Sequence, residues 1–457
     1  MSISTVRAAF LIVLWSSAAA ANVTQEGEKE ITASAPVIIK LEQQTKLIEH
    51  GTGKKNFYSA VLAVGGPKPQ QFRVGFDLGG GTTLLPSKEC KSNGCNERKV
   101  YDKCDSNMAE DVMRDGKLVI PGTPKICKRR KSFLARDVGT LEFHSVELGD
   151  GKAKGNFVRD KVCIDVQGDE TRCFPFAFLA ASIMTDDPFV AEPYDGIVGL
   201  GPGTGGVLSN DFDFLYRIIH SVPGNTQGMF GLYLGPNNGG EIAFGGYDAK
   251  RLNSPISWAP VADVDEGRWQ VTISAIRVGN STLDVCSGTR CLAAFDHGTS
   301  YLGVPASMGE QMGKQISAAG PKHCEESKVP DLQLDLNGIT LTVPVQDYSP
   351  STATMPIKDG PCLPTMEVHG MDASLSPGNH LFILGESVLR RYYTIYDQDS
   401  NRIGFSLAKE DEDRPKKLRL KSGMSEAMPS SKDSNYVVLV QIKVSSRKTR
   451  STLLEHA

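Results

Sequence analysis

The chain has 457 residues, with 50 Lys and Arg against 53 Asp and Glu; the net charge of −3 gives no basic surface for nucleic acid. Charged residues at 23% and apolar residues at 40% exclude a disordered or membrane-embedded chain. The 46 Gly and 25 Pro exceed the usual combined share of about 12%, so many turns and short strands are expected, in about three domains by length.

In chain order, residues 1–21 read as a secretory signal peptide: Arg7 is the positive end, 8–15 (AAFLIVLW) the apolar core, and 16–21 the small residues for cleavage. This route places the ten cysteines in an oxidising compartment and the protein in the secretory pathway, either extracellular or in an acidic endomembrane compartment. Asn22 and Asn280 open glycosylation sequons. Strand patterns follow at 57–64, 71–78, 240–247, 268–279 and 381–385, bounded by Gly, Pro, Asn or Asp. Helical segments are few, near 212–220, 306–318 and 387–392, so the class is all-β. No later segment reaches the ~20 apolar residues of a membrane anchor. Residues 409–457 read as a polar C-terminal tail, with a basic run at 414–421 and one β-prone stretch at 436–444.

One turn occurs twice. An apolar strand ends in Phe76-Asp77-Leu78-Gly79, and another in Phe295-Asp296-His297-Gly298; the two Asp are 219 residues apart. A duplicated strand-turn with one Asp in each half suggests two similar lobes meeting at a shared site. Two carboxyls at hydrogen-bond range cannot both ionise, so they share one proton. The handling of that proton suits peptide hydrolysis: the ionised Asp takes a proton from water, and the protonated Asp donates to the substrate carbonyl oxygen. Glycine after each Asp permits the sharp turn.

With these residues the chain resembles the pepsin-like aspartic peptidases over roughly residues 50–408. Further motifs carry the resemblance: Tyr194-Asp195-Gly196-Ile197-Val198-Gly199-Leu200-Gly201, Glu241 to Tyr247 with Asp248, Trp269-Gln270-Val271, Phe382-Ile383-Leu384-Gly385, Arg391 to Asp397, and Asn401 to Phe405. The resemblance implies a bilobal all-β fold with an interlobe cleft: a pro segment at 22–50, an N-terminal lobe at 51–230 and a C-terminal lobe at 231–408. It implies an aspartic endopeptidase acting as a monomer on a peptide or protein substrate. Asp77 and Asp296 would be catalytic, Gly79, Gly298, Thr299 and His297 supporting, and Leu148 on the flap over the cleft. No metal or organic cofactor is implied.

The resemblance also implies disulfides Cys90–Cys95, Cys286–Cys291 and Cys324–Cys362. For the remaining four cysteines we expect Cys104–Cys127 in an N-lobe insertion and Cys163–Cys173 across a hairpin, although spacing alone leaves connectivity open.

The sequence departs from the family at several positions. Leu78 and His297 stand where the family has a Thr whose hydroxyl bonds across to the opposite loop. Leu cannot make that bond, whereas His297 has a ring nitrogen for part of it. Gly80 replaces the hydroxyl residue three positions after the first Asp, while Thr299 keeps it after the second. Leu148 falls at the flap Tyr position and Leu84 at that of its aromatic partner. We read His297 as filling the Thr site rather than as a third titrating group, and Tyr194-Asp195 as structural. Residues 22–50 hold Lys29, Lys40 and Lys46 against Glu26, Glu28, Glu30, Glu42 and Glu49, a poor electrostatic plug for an acidic cleft. Residues 37–41 read instead as a strand of an interlobe sheet. The alternative function is a non-catalytic, inhibitor-like binding protein of the same fold, since Asp77-Leu78-Gly79-Gly80 resembles the turn of the plant xylanase-inhibitor-like branch.

Overall fold

Strands dominate the protein, as the Gly- and Pro-rich composition predicts. The structure is a computed structural model that describes residues 35–47, 54–127, 144–148, 151–164, 169–203, 208–223, 227–235, 239–319, 331–348, 367–369 and 379–409. The signal peptide, Asn22, Cys324, Cys362 and the tail beyond 409 lie outside the described residues.

A 14-stranded sheet runs through both halves of the sequence. Its centre is Val37–Leu47, which contains the predicted strand at 37–41. One end of this strand pairs antiparallel with Gly239–Phe244 and the other with Lys54–Val64. Farther along, Met229–Leu234 pairs with Tyr392–Asp397, so the last part of the chain returns to strands from its middle. The pattern at 268–279 divides into Gln270–Ile273 and Ala275–Val278, which enter different sheets. Asn280 is exposed at the turn before Ser281–Thr282.

The duplicated turn sits in a duplicated ladder. Gln70–Asp77 pairs parallel with Gly196–Gly199, which meets Leu84–Pro86 antiparallel. In the second half, Arg290–Phe295 pairs parallel with Asn379–Leu384, which meets Leu302–Pro305 antiparallel. Each Asp strand is therefore bound to a strand far away in sequence. Alternation then sets the faces: Phe72, Val74 and Phe76 enter the main core, while Gly75 and Asp77 take the opposite face.

Glycine at the ends of the partner strands lets the turns close. A Cβ on Gly199 would stand 2.5 Å from the Thr82 nitrogen, and one on Gly385 only 2.0 Å from the Tyr301 oxygen. Here the requirement is close backbone approach rather than an unusual φ. The main core includes Phe230, Trp269, Phe295 and Tyr396. Trp269 also donates its buried indole N–H to the Leu200 carbonyl at 2.7 Å, joining the start of the second-half strand to the Gly-rich segment of the first half.

Disulfides link Cys90–Cys95, Cys104–Cys127, Cys163–Cys173 and Cys286–Cys291. Cys163–Cys173 closes the hairpin between Gly151–Cys163 and Cys173–Met184. Such cross-links restrict the unfolded chain, most strongly where the closed loop is long.

Candidate active site

Asp77 ends its strand half-buried. Its Oδ1 accepts from the Gly79 N–H at 2.8 Å. Asp296 has the same local bond, Gly298 N–H to Oδ1 at 2.7 Å, and a second donor, the Thr299 hydroxyl, on Oδ2 at 2.8 Å. Both turns are tied to their ladders by backbone. The Leu200 N–H donates to the Asp77 carbonyl at 2.7 Å, and the Glu386 N–H to the Thr299 carbonyl at 2.7 Å.

His297 makes a cross-half contact beside the Asp pair. It is buried, and its Nε2 is hydrogen-bonded to the carbonyl oxygen of Phe76. The two ends of that bond are the chain neighbours of Asp296 and Asp77. The ring also meets Tyr58 edge-on, with centroids 6.0 Å apart, and Tyr58 donates to the buried Glu386 at 2.7 Å. The Nε2–H tautomer satisfies the Phe76 carbonyl and leaves Nδ1 buried without a partner. Leu78 is 3% exposed and offers no reciprocal bond.

Burial pushes the Asp77 carboxyl up to about 7 against the Gly79 bond that pulls it down; the charges of Asp296 and Glu192 add to the rise. Asp296 therefore acts electrostatically on Asp77, as expected for two carboxyls at one site.

The hairpin of His144–Leu148 and Gly151–Cys163 occupies the predicted flap segment, with Leu148 in register with Gly151. The side chain of Leu148 and residues 149–150 lie outside the described residues. Leu84 is fully buried in a core cluster with Phe57, Leu179 and Tyr194.

Two residues near the Asp pair were not expected there. Glu192 acts on Asp77 by charge, and Tyr194 feels both Asp77 and Asp296. Asp195 is structural, its carboxylate accepting the backbone N–H groups of Arg73 and Lys99, each at 2.9 Å, and Tyr194 is itself buried in a core cluster. The available signal was Gly75, a missing side chain two residues before Asp77 that leaves room for a ring.

Two carboxyls on matching strand-turns, acting on each other by charge, suit the chemistry of an aspartic endopeptidase. The family model described as "Eukaryotic aspartyl protease" matches residues 126–408, a span that includes Asp296 and begins after Asp77. The chain belongs to that family, and its fold is the bilobal pepsin-like one. Relatives align over a longer region. Cathepsin E of Oryctolagus cuniculus is 27% identical over 368 residues, covering 77% of this chain and 80% of its own. Gastricsin of Mus musculus is 28% identical over 362 residues, covering 76% and 80%. Plasmepsin VIII of Plasmodium berghei (strain Anka) is 27% identical over 381 residues, covering 79% and 89%. Among the described residues, no helix is long and apolar enough to cross a membrane.

Proposed function

We propose that Asp77 and Asp296 are the reacting pair of this aspartic endopeptidase, with the shared proton on Asp77 and an extended peptide held between lobes 51–230 and 231–408. The donor asymmetry carries this assignment. Asp296 receives a hydroxyl donor as well as a backbone one, whereas Asp77 has backbone donors only and its carboxyl is pushed up by desolvation.

The ionised Asp296 takes a proton from water as the water oxygen attacks the peptide carbonyl carbon. Asp77 gives its proton to the carbonyl oxygen, forming a gem-diol. On collapse the C–N bond breaks. Asp296 then returns its proton to the departing nitrogen, and Asp77 recovers one from the diol hydroxyl. Each carboxyl ends as it began. Gly79 and Gly298 hold the carboxylates by their N–H groups, Thr299 holds Asp296, His297 anchors the second turn, and the Leu148 hairpin covers the cleft.

Residues 1–21 support a secretory route, extracellular or acidic endomembrane, and the acting unit is read as a monomer. The test is cleavage of a mixed peptide library by the full chain from about pH 3 to about pH 7. Cleavage is expected to vanish in Asp77→Asn and in Asp296→Asn at unchanged unfolding temperature; cleavage that persists in either overturns the assignment. Leu78 favours a second reading, a peptide binder without turnover. A folded wild-type chain that binds peptides and cleaves none at any pH would carry it.

A further inference from the structure

Glu192 and Tyr194 lie beside the Asp pair without belonging to either turn. Gly75 and Asp77 are two residues apart on one strand, so they share a face. A Cβ on Gly75 would come within 2.6 Å of the Tyr194 ring. Glycine therefore opens the slot that puts this ring on the face bearing the Asp77 carboxyl. Phe57 packs edge-on against the ring, with centroids 6.3 Å apart. The Tyr194 phenol and the Glu192 carboxyl act on one another electrostatically, and Glu192 Oε2 is buried without a hydrogen-bond partner.

The segment carrying them is held from behind. The Arg98 guanidinium donates to the carbonyls of Phe189 and Tyr194, and to that of Asp195 at 3.2 Å. Lys46 donates to the Ala191 carbonyl at 2.9 Å. With the Asp195 bonds to Arg73 and Lys99, these contacts fix the backbone on both sides of Glu192.

We propose that Glu192 and Tyr194 are a charge-setting pair for the Asp77–Asp296 centre, positioning residues that act on Asp77 without touching substrate. The proposal rests on the reading of Asp77 and Asp296 as the reacting groups. The groups acting on Glu192 include Arg98, Tyr194, Lys55 and Asp296, and Glu192 in turn acts on Asp77. Burial pushes its carboxyl up; Arg98, Tyr194 and Lys55 pull it down; Asp296 pushes it up. Once ionised, Glu192 opposes ionisation of Asp77, so Asp77 keeps its proton to higher pH and the working range of the pair extends upward. Tyr194 stabilises the Glu192 anion, and its own phenol is held protonated by burial and the surrounding carboxylates.

The test is the titration of Asp77 in the full chain, read by isotope-edited NMR of labelled aspartate carboxyls. The Asp77 signal is the one missing from Asp77→Asn. In Glu192→Gln the Asp77 midpoint is expected to fall by about half a pH unit or more, and the high-pH limb of kcat/KM to fall with it. Glu192→Asp keeps the charge and should restore most of the midpoint. Tyr194→Phe keeps the ring but leaves Glu192 protonated to higher pH, so it should move the midpoint the same way by less. If Glu192→Gln does not fold, Tyr194→Phe decides the matter. A wild-type midpoint in folded Glu192→Gln and Tyr194→Phe overturns the proposal. The NMR reading needs no turnover, so an inactive wild-type chain would sink the assignment of the reacting pair while leaving this measurement decisive.

Discussion

The two Asp turns share a backbone and differ in their side chains. Each ends a strand that pairs parallel with a distant strand, and each takes one glycine N–H on its Asp Oδ1. The second adds Thr299 on the other carboxylate oxygen and sends His297 across to Phe76. The first has Gly80 and Leu78 at those places and contributes neither bond. The ladders and the glycines at 199 and 385 hold the scaffold, so its shape tolerates loss of side-chain bonds in one half. On the proposed reading, the asymmetry decides which carboxyl holds the shared proton.

Removing either half of the comparison outright should have the largest effect. Asp296→Asn or Asp77→Asn is expected to lower kcat for peptide cleavage by on the order of 10²–10⁴-fold or more, measured on matched folded protein. Erasing the difference between the turns should come next. Thr299→Ala removes a hydroxyl from a charged acceptor, a bond of about 1.5–3 kcal/mol, so kcat/KM should drop roughly ten- to a hundredfold. The opposite change, Gly80→Ser, supplies the first turn with a hydroxyl and should lower the Asp77 titration, moving the high-pH limb of the rate profile downward.

The cross-half bond should appear in stability. His297→Ala loses a buried ring and its bond to Phe76, an expected cost of about 1–3 kcal/mol in denaturant unfolding. His297→Thr should cost less, whereas an unchanged midpoint in both would show that the bond holds nothing. A further effect should be in linkage. The Asp77 carboxyl rises on folding from 3.8 to about 7. Its contribution to stability is therefore complete below pH 3.8 and lost as pH rises through about 7. The wild-type unfolding temperature should fall over that window more steeply than that of Asp77→Asn.

Much of the fold was legible because its signals are local. The strands at 57–64 and 71–78, the helix near 212–220 and the repeated Phe-Asp-x-Gly turn follow from hydrophobic pattern and turn chemistry. The replacement of Thr by Leu78 and His297 is read from the family resemblance, and only packing shows that the His297 ring reaches the Phe76 carbonyl. The break of 268–279 at Ser274 was not legible, since the residues on both sides are equally β-prone and only their partners in different sheets divide them. Leu84 takes the family's flap-partner position by resemblance, and only packing shows that its side chain lies in a core cluster.

Tyr194 and Glu192 mark the boundary most clearly. By itself the sequence determined an all-β chain with two Asp turns, unequal in hydroxyl support, because periodicity and turn residues act over a few positions. Only the tertiary structure decided that a ring 119 residues after Gly75 would fill the slot beside Asp77 and bring a third carboxyl near the pair. Parallel pairing of Gln70–Asp77 with Gly196–Gly199 makes those neighbours. Charge interactions depend on distance and burial in space, and the order of residues along the chain does not specify either.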